Sequence, residues 1–154
     1  SKLWPPLLKE PGGVFFDVGA GSAAHLLRAS VLPWRPQRVH LFEPVPEYYA
    51  DLRAAWTKHR RIRNVTFHAF GLAGHGDRRL KNMFLSGGGS STYRQLYFSA
   101  NRMYLDSIGD GQWHQARESR TVEMRSVVEV WHELGIESLA LLNMNCEGCE
   151  YGVL

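Results

Sequence analysis

The stretch GVFFDVGAG, residues 13–21, constrains this chain more than any other. Val14, Phe15 and Phe16 begin a short apolar run that glycines end, the pattern of a buried strand followed by a tight turn. SAAHLLRASVL, residues 22–32, then has the apolar spacing of a helix, with Ser22 placed to cap its start. A strand that turns through glycine directly into a helix is the opening unit of an α/β domain.

The same alternation continues along the chain. Pro33, Trp34 and Pro36 break it, and RVHLFEP (38–44) predicts a second strand. PEYYADLRAAWTKH (46–59) predicts a helix, with Pro46 in its first turn and Tyr49, Leu52, Ala55 and Trp56 on one face. NVTFHAF (64–70) reads as a third strand, LAGHGDRRL (72–80) as a turn, KNMFL (81–85) as a short strand and SGGGSST (86–92) as a flexible loop. Residues 93–118 show no period that assigns them. RTVEMRS (120–126) predicts a strand, VVEVWHELG (127–135) a helix stopped by Gly135, and SLALLNMN (138–145) another buried strand. The β-α-β-α-β order implies one doubly wound α/β domain over residues 12–154, with a mainly parallel sheet, after an N-terminal extension at 1–11.

The loop at the end of the first strand carries the chemistry. Gly19 and Gly21 stand where the backbone must turn and let a ligand approach, and Gly19 to Ala24 fit the permissive dinucleotide pattern G-x-G-x-x-A. Glu43 ends the second strand about 20 residues on, where a carboxylate accepts ribose hydroxyls. Asp17 decides between cofactors. A nicotinamide dinucleotide would press its pyrophosphate against this loop, and a carboxylate there repels it. S-adenosyl-L-methionine brings no phosphate and carries cationic ammonium and sulfonium groups, so Asp17 favours that ligand.

Taken in order, VFFDVGAG, VHLFEPVPEYYADLR, NVTFHAFGLAG, SGGGSST and ESLALLNMNCEGCEYGVL resemble the FkbM-type S-adenosylmethionine-dependent methyltransferases across residues 12–154. The most specific parts are E-P-x-P at Glu43 to Pro46 and E-G-x-E at Glu147 to Glu150. The resemblance implies a Rossmann-like class I methyltransferase fold that continues past Glu150 with strands this sequence does not include. It implies methyl transfer to a hydroxyl oxygen of a sugar or small natural product. It assigns Asp17, Gly19, Ala20 and Gly21 to the methionine part of the cofactor, Glu43 to the ribose, and Pro44 and Phe70 to the adenine. Asn145 and Glu147 would face the methyl group and acceptor. Where the family commonly has Lys-x-Asp, this chain has Asn143-Met144-Asn145, and Asn145 can hydrogen-bond to cofactor or acceptor but cannot serve as a general base.

A hydroxyl acceptor must lose its proton during or after attack. Glu147 is the candidate base, with capping of a following helix as its other use. A methyltransferase-like domain that binds without turnover stays open, as does an oxidoreductase, which Asp17 disfavours. Cys146 and Cys149 have C-x-x-C spacing, but a zinc site of that type needs a second pair of ligands, and the glutamates between and beside them disfavour a thiolate. His25, His40, His68, His75, His114 and His132 lack paired ligand spacing and read as structural or surface residues, so no metal is expected. The aromatics from Tyr93 to Trp113 either line an acceptor pocket or cover the sheet.

The formal charge of +3 is too small to argue for nucleic acid, and Lys58 to Arg63 reads as a solvated helix end. No apolar run approaches the roughly 20 residues that span a bilayer, and no signal peptide is visible at the start. Two cysteines make no disulfide framework, so the default location is cytoplasmic. The expected partner is a small-molecule acceptor.

Overall fold

The computed structural model describes residues 13–21, 37–57, 64–76, 79–86, 89–91, 118–144 and 153. Four strands form the first sheet: β1 (Val14–Val18), β2 (Arg38–Phe42), β3 (Val65–His68) and, late in the chain, β8 (Leu139–Met144). Their order is β3-β2-β1-β8, and every neighbouring pair is parallel. From β1 the chain runs outward through β2 to β3, then returns to add β8 on the other side of β1. That reversal makes the carboxyl ends of β1 and β8 a topological switch point, where open parallel sheets form a ligand crevice. This is the mainly parallel, Rossmann-like α/β arrangement that the sequence implies.

All five residues of β1 are buried, as a central parallel strand requires. Phe15 faces one side with Val39, Leu41 and Leu52, the last from α1 (Pro46–Thr57). Ala55 and Trp56 complete that contact, so three of the four residues predicted for the packing face lie there, while Tyr48 rather than Tyr49 packs against the core. Val14, Phe16 and Val18 face the other side, with Phe42, Val45, Met124, Val130 and Ile136. Burying each phenylalanine contributes about 1.5–3 kcal/mol, and Phe16 adds an edge contact to Phe42 at 4.9 Å between ring centres.

A second sheet covers that other side; the sequence reading has two of its strands, KNMFL and RTVEMRS, but not the sheet they form. It consists of β4 (Gly71–Ala73), β5 (Leu80–Ser86), β6 (Gly89–Ser91) and β7 (Glu118–Ser126), in the order β4-β7-β5-β6. NVTFHAF, expected as one strand, ends at His68, and the chain bends at Ala69 and Phe70 before re-entering as β4. LAGHGDRRL, expected as a turn, gives Leu72 and Ala73 to β4, where both are buried. SGGGSST, expected as a loop, gives Gly89–Ser91 to β6, paired antiparallel with β5. The last two corrections concern three-residue strands, too short to show a period; the partner of β4 lies far along the chain in β7, while β6 pairs with the end of β5 just before it. A side chain at Gly71 would bring its Cβ to 2.6 Å from Met124 Sδ, so the Met124 thioether would have to swing aside to admit one.

β7 leads directly into α2 (Val127–Glu133), which buries Val130. The helix ends as predicted at Gly135, where Gly135 N donates to His132 O at 3.1 Å and Ile136 N to Trp131 O at 3.2 Å. These two bonds make a Schellman motif, and the buried Ile136 is its hydrophobic anchor. No helix among the described residues is long and apolar enough to cross a membrane.

Candidate functional site

The loop after β1 is held by hydrogen bonds to the end of β2. Gly19 and Gly21 both have positive φ, 75° and 52°, which L side chains adopt only with strain. That twist turns three successive N–H groups toward β2. Gly19 N and Ala20 N donate to Phe42 O at 2.9 and 3.2 Å. Gly21 N donates to Glu43 Oε2 at 3.0 Å, while Val45 N donates to Glu43 Oε1 at 2.9 Å. The Glu43 carboxylate thus clamps the glycine loop to the segment that leads into α1.

Glu43 is 3% exposed. Burial pushes its carboxyl above the usual range, the two backbone hydrogen bonds pull it back, and the charge of Asp17 pushes it up again. Asp17 is fully buried one strand away. Its Oδ1 accepts a hydrogen bond from Asn143 Nδ2 at 2.8 Å, and the two residues are register partners across β1 and β8. Two buried carboxylates therefore stand together at the switch point.

Pro44 and Phe70 lie beside this pair. Pro44 Cγ would be 3.4 Å from a Cβ at Gly71, the residue after Phe70. The Phe70 ring lies 5.8 Å from Phe42, and the Arg125 guanidinium sits 4.9 Å over its face, a cation–π contact. The Arg125 charge is in turn paired with Glu133. Behind Phe42 stands a pair of histidines. His40 Nδ1 and His68 Nε2 share a hydrogen bond at 3.0 Å, and the His68 ring stacks on Phe42 at 4.5 Å and 10°. Desolvation lowers both histidines, with Arg38 adding to the effect at His40. At His68, His40 and Arg125 add to it and the value falls to about 4.

The structure brings together Asp17, Gly19, Ala20, Gly21 and Glu43, with Pro44 and Phe70 adjoining. Ala20 contributes only main chain, because its methyl is buried in the core beside Phe15 and Leu52. Asn145 and Glu147 lie outside the described residues, as do Cys146, Cys149, Ser22, His25 and His114. Sequence reasoning missed the Asn143 bond, the Arg125 contact and the histidine pair. The available signal for the first was one amide in the otherwise apolar strand LALLNM. Among the described residues no group of three or more His, Cys, Asp or Glu is arranged to hold a metal.

Away from the loop, a cavity of about 500 Å³ opens where the turn after β4 meets the end of β7. His75, Arg79, Glu123, Arg125, Ser126 and Glu129 line it. Arg79 is paired with Glu123 at 3.3 Å, so its charged lining is partly neutralised within the fold.

Residues 17–154 match the Methyltransferase FkbM domain. The chain belongs to the FkbM methyltransferase family. The match begins at Asp17, the polar residue of β1, and runs through the E-G-x-E segment. No curated protein gives a significant match to the chain. As an FkbM methyltransferase domain, the chain carries its glycine loop at the switch point of the parallel sheet, where this class of fold binds its ligand.

Proposed function

We propose that this chain transfers a methyl group from S-adenosyl-L-methionine to a hydroxyl oxygen of a sugar or small natural product. The observation that carries the cofactor reading is where the loop spends its donors. The N–H groups of Gly19, Ala20 and Gly21 are all hydrogen-bonded within the protein. A pyrophosphate needs such donors free, and it would also meet the buried carboxylates Asp17 and Glu43. A ligand with a cationic amino-acid end and a neutral ribose suits the same surroundings. Asp17 would receive the amino-acid end, Glu43 the ribose hydroxyls through its remaining lone pairs, and Pro44 and Phe70 the adenine.

When bound, this cofactor supplies an electrophilic methyl on a sulfonium, an excellent leaving group. The protein then has to orient the acceptor, exclude water and manage one proton. Orientation of this kind contributes about 7–11 kcal/mol at best. Glu147 is the proposed base for the acceptor hydroxyl, with Asn145 as a hydrogen-bonding partner, both by their positions in the family motif. The functional unit proposed is residues 12–154, with 1–11 as an extension.

Calorimetry with S-adenosylmethionine, S-adenosylhomocysteine and NAD tests the reading. The first two should bind and NAD should not; binding of NAD alone would overturn it. Asp17→Ala should weaken S-adenosylhomocysteine binding by roughly tenfold or more, the loss of an interaction with a charged group. Unchanged affinity would remove Asp17 from the site. Transfer of a labelled methyl group to hydroxylated acceptors then separates an enzyme from a domain that only binds.

A further inference from the structure

Asn143 is the one polar residue of β8, in the sequence LALLNM. An amide in a strand this apolar needs a partner, and its partner is Asp17, at 2.8 Å and in register across the sheet. In a parallel pair, register partners project to the same face, so the bond is built into the strand alignment. A hydrogen bond to a charged group is stronger than one between neutral groups. The chemistry of the donor is specific. An aspartate at 143 would repel Asp17 and a leucine would offer nothing, while the lysine common at this position in the family would donate as a cation. A neutral amide orients the carboxylate and leaves its charge in place. That charge extends across the site, since Asp17 is among the groups that act on Glu43.

We infer that Asn143 is a positioning residue, whose amide holds the Asp17 carboxylate in the orientation that receives the amino-acid end of the cofactor. The inference rests on the S-adenosylmethionine reading of the loop. Asn143 acts through Asp17, so its effect is confined to ligands that carry an amino-acid chain.

Two ligands and two variants test this. S-adenosylhomocysteine carries the amino-acid chain; 5′-methylthioadenosine has the same adenine, ribose and sulfur without it. In Asn143→Leu, affinity for S-adenosylhomocysteine should fall roughly tenfold or more, with 5′-methylthioadenosine affinity unchanged. Equal weakening of both ligands, or of neither, would overturn the inference. The double variant Asp17→Asn/Asn143→Asp rebuilds the same bond with donor and acceptor exchanged, and it covers the case in which Asn143→Leu does not fold. It should melt like the parent protein yet bind S-adenosylhomocysteine poorly and 5′-methylthioadenosine normally, because the carboxylate now sits on the wrong strand. Recovery of S-adenosylhomocysteine affinity in that variant would reduce Asn143 to a structural role and sink the inference alone. Failure of the parent protein to bind either ligand would remove the cofactor reading, and this inference with it.

Discussion

Glu43 uses one carboxylate to fasten two backbone segments, accepting from Gly21 N at 3.0 Å and from Val45 N at 2.9 Å. Each oxygen is already engaged, so the residue contributes to the fold before any ligand arrives. Glu43→Gln should expose this double role. A glutamine has one acceptor oxygen, and its NH₂ would face one of the two N–H groups donor to donor. One buried N–H would lose its partner, at a cost of about 1–3 kcal/mol. Urea denaturation measures it; a loss within about 0.5 kcal/mol, the range of ordinary surface changes, would mean the bracket contributes little. The sequence singled out Glu43 as a ribose partner from its distance behind the glycine loop. Its clamp was not legible, because the proximity of positions 21 and 43 exists only once β1 and β2 are paired. The Asn143 bond was hidden for the same reason: register across β1 and β8 joins residues separated by 126 positions.

The elements divide by the origin of their signals. Helix α2 was readable because its stop is local: Gly135, at φ 58°, carries the conformation that closes the Schellman motif. An added Cβ there meets nothing within 4 Å, so a substitution tests backbone conformation alone. Gly135→Ala should cost about 1–2 kcal/mol, and Gly135→Asn less, since asparagine tolerates that region. Thermal melts of the two variants provide the check, and an alanine variant as stable as the parent would refute it. The strands β4 and β6 carry no such local signature. β4 takes its identity from Met124 and its neighbours in β7, reached from a distant part of the chain, and β6 from the facing end of β5 just before it. The flexible look of SGGGSST is a fair reading of composition, yet Gly89–Ser91 gains a partner strand in β5.

At the scale of the whole molecule, the parallel sheet was legible from alternation and glycine placement, while the sheet laid against it was not. The two meet around a site that responds to acid. His40 and His68 share a hydrogen bond, with Phe16 packed edge-on to His40 and Phe42 stacked on His68. Arg38 acts on His40, and Arg125, from the second sheet, acts on His68. Burial first, then these charges, lower His68 from 6.5 to about 4. Between those values the unfolded chain binds more protons than the folded one. The contribution to stability is therefore full above about pH 6.5 and falls away as pH drops toward 4. Glu43 runs the other way, because a raised carboxyl pKa favours the protonated form in the fold. Comparison of variants rather than the bare acid slope isolates the histidine. His68→Phe keeps a ring against Phe42 and removes the titrating group. Its melting temperature should fall less steeply than the parent's between pH 7 and pH 5, two values that bracket the 6.5 at which a free histidine titrates. Superimposable pH profiles for the two proteins would show that His68 does not couple acid to the meeting of the two sheets.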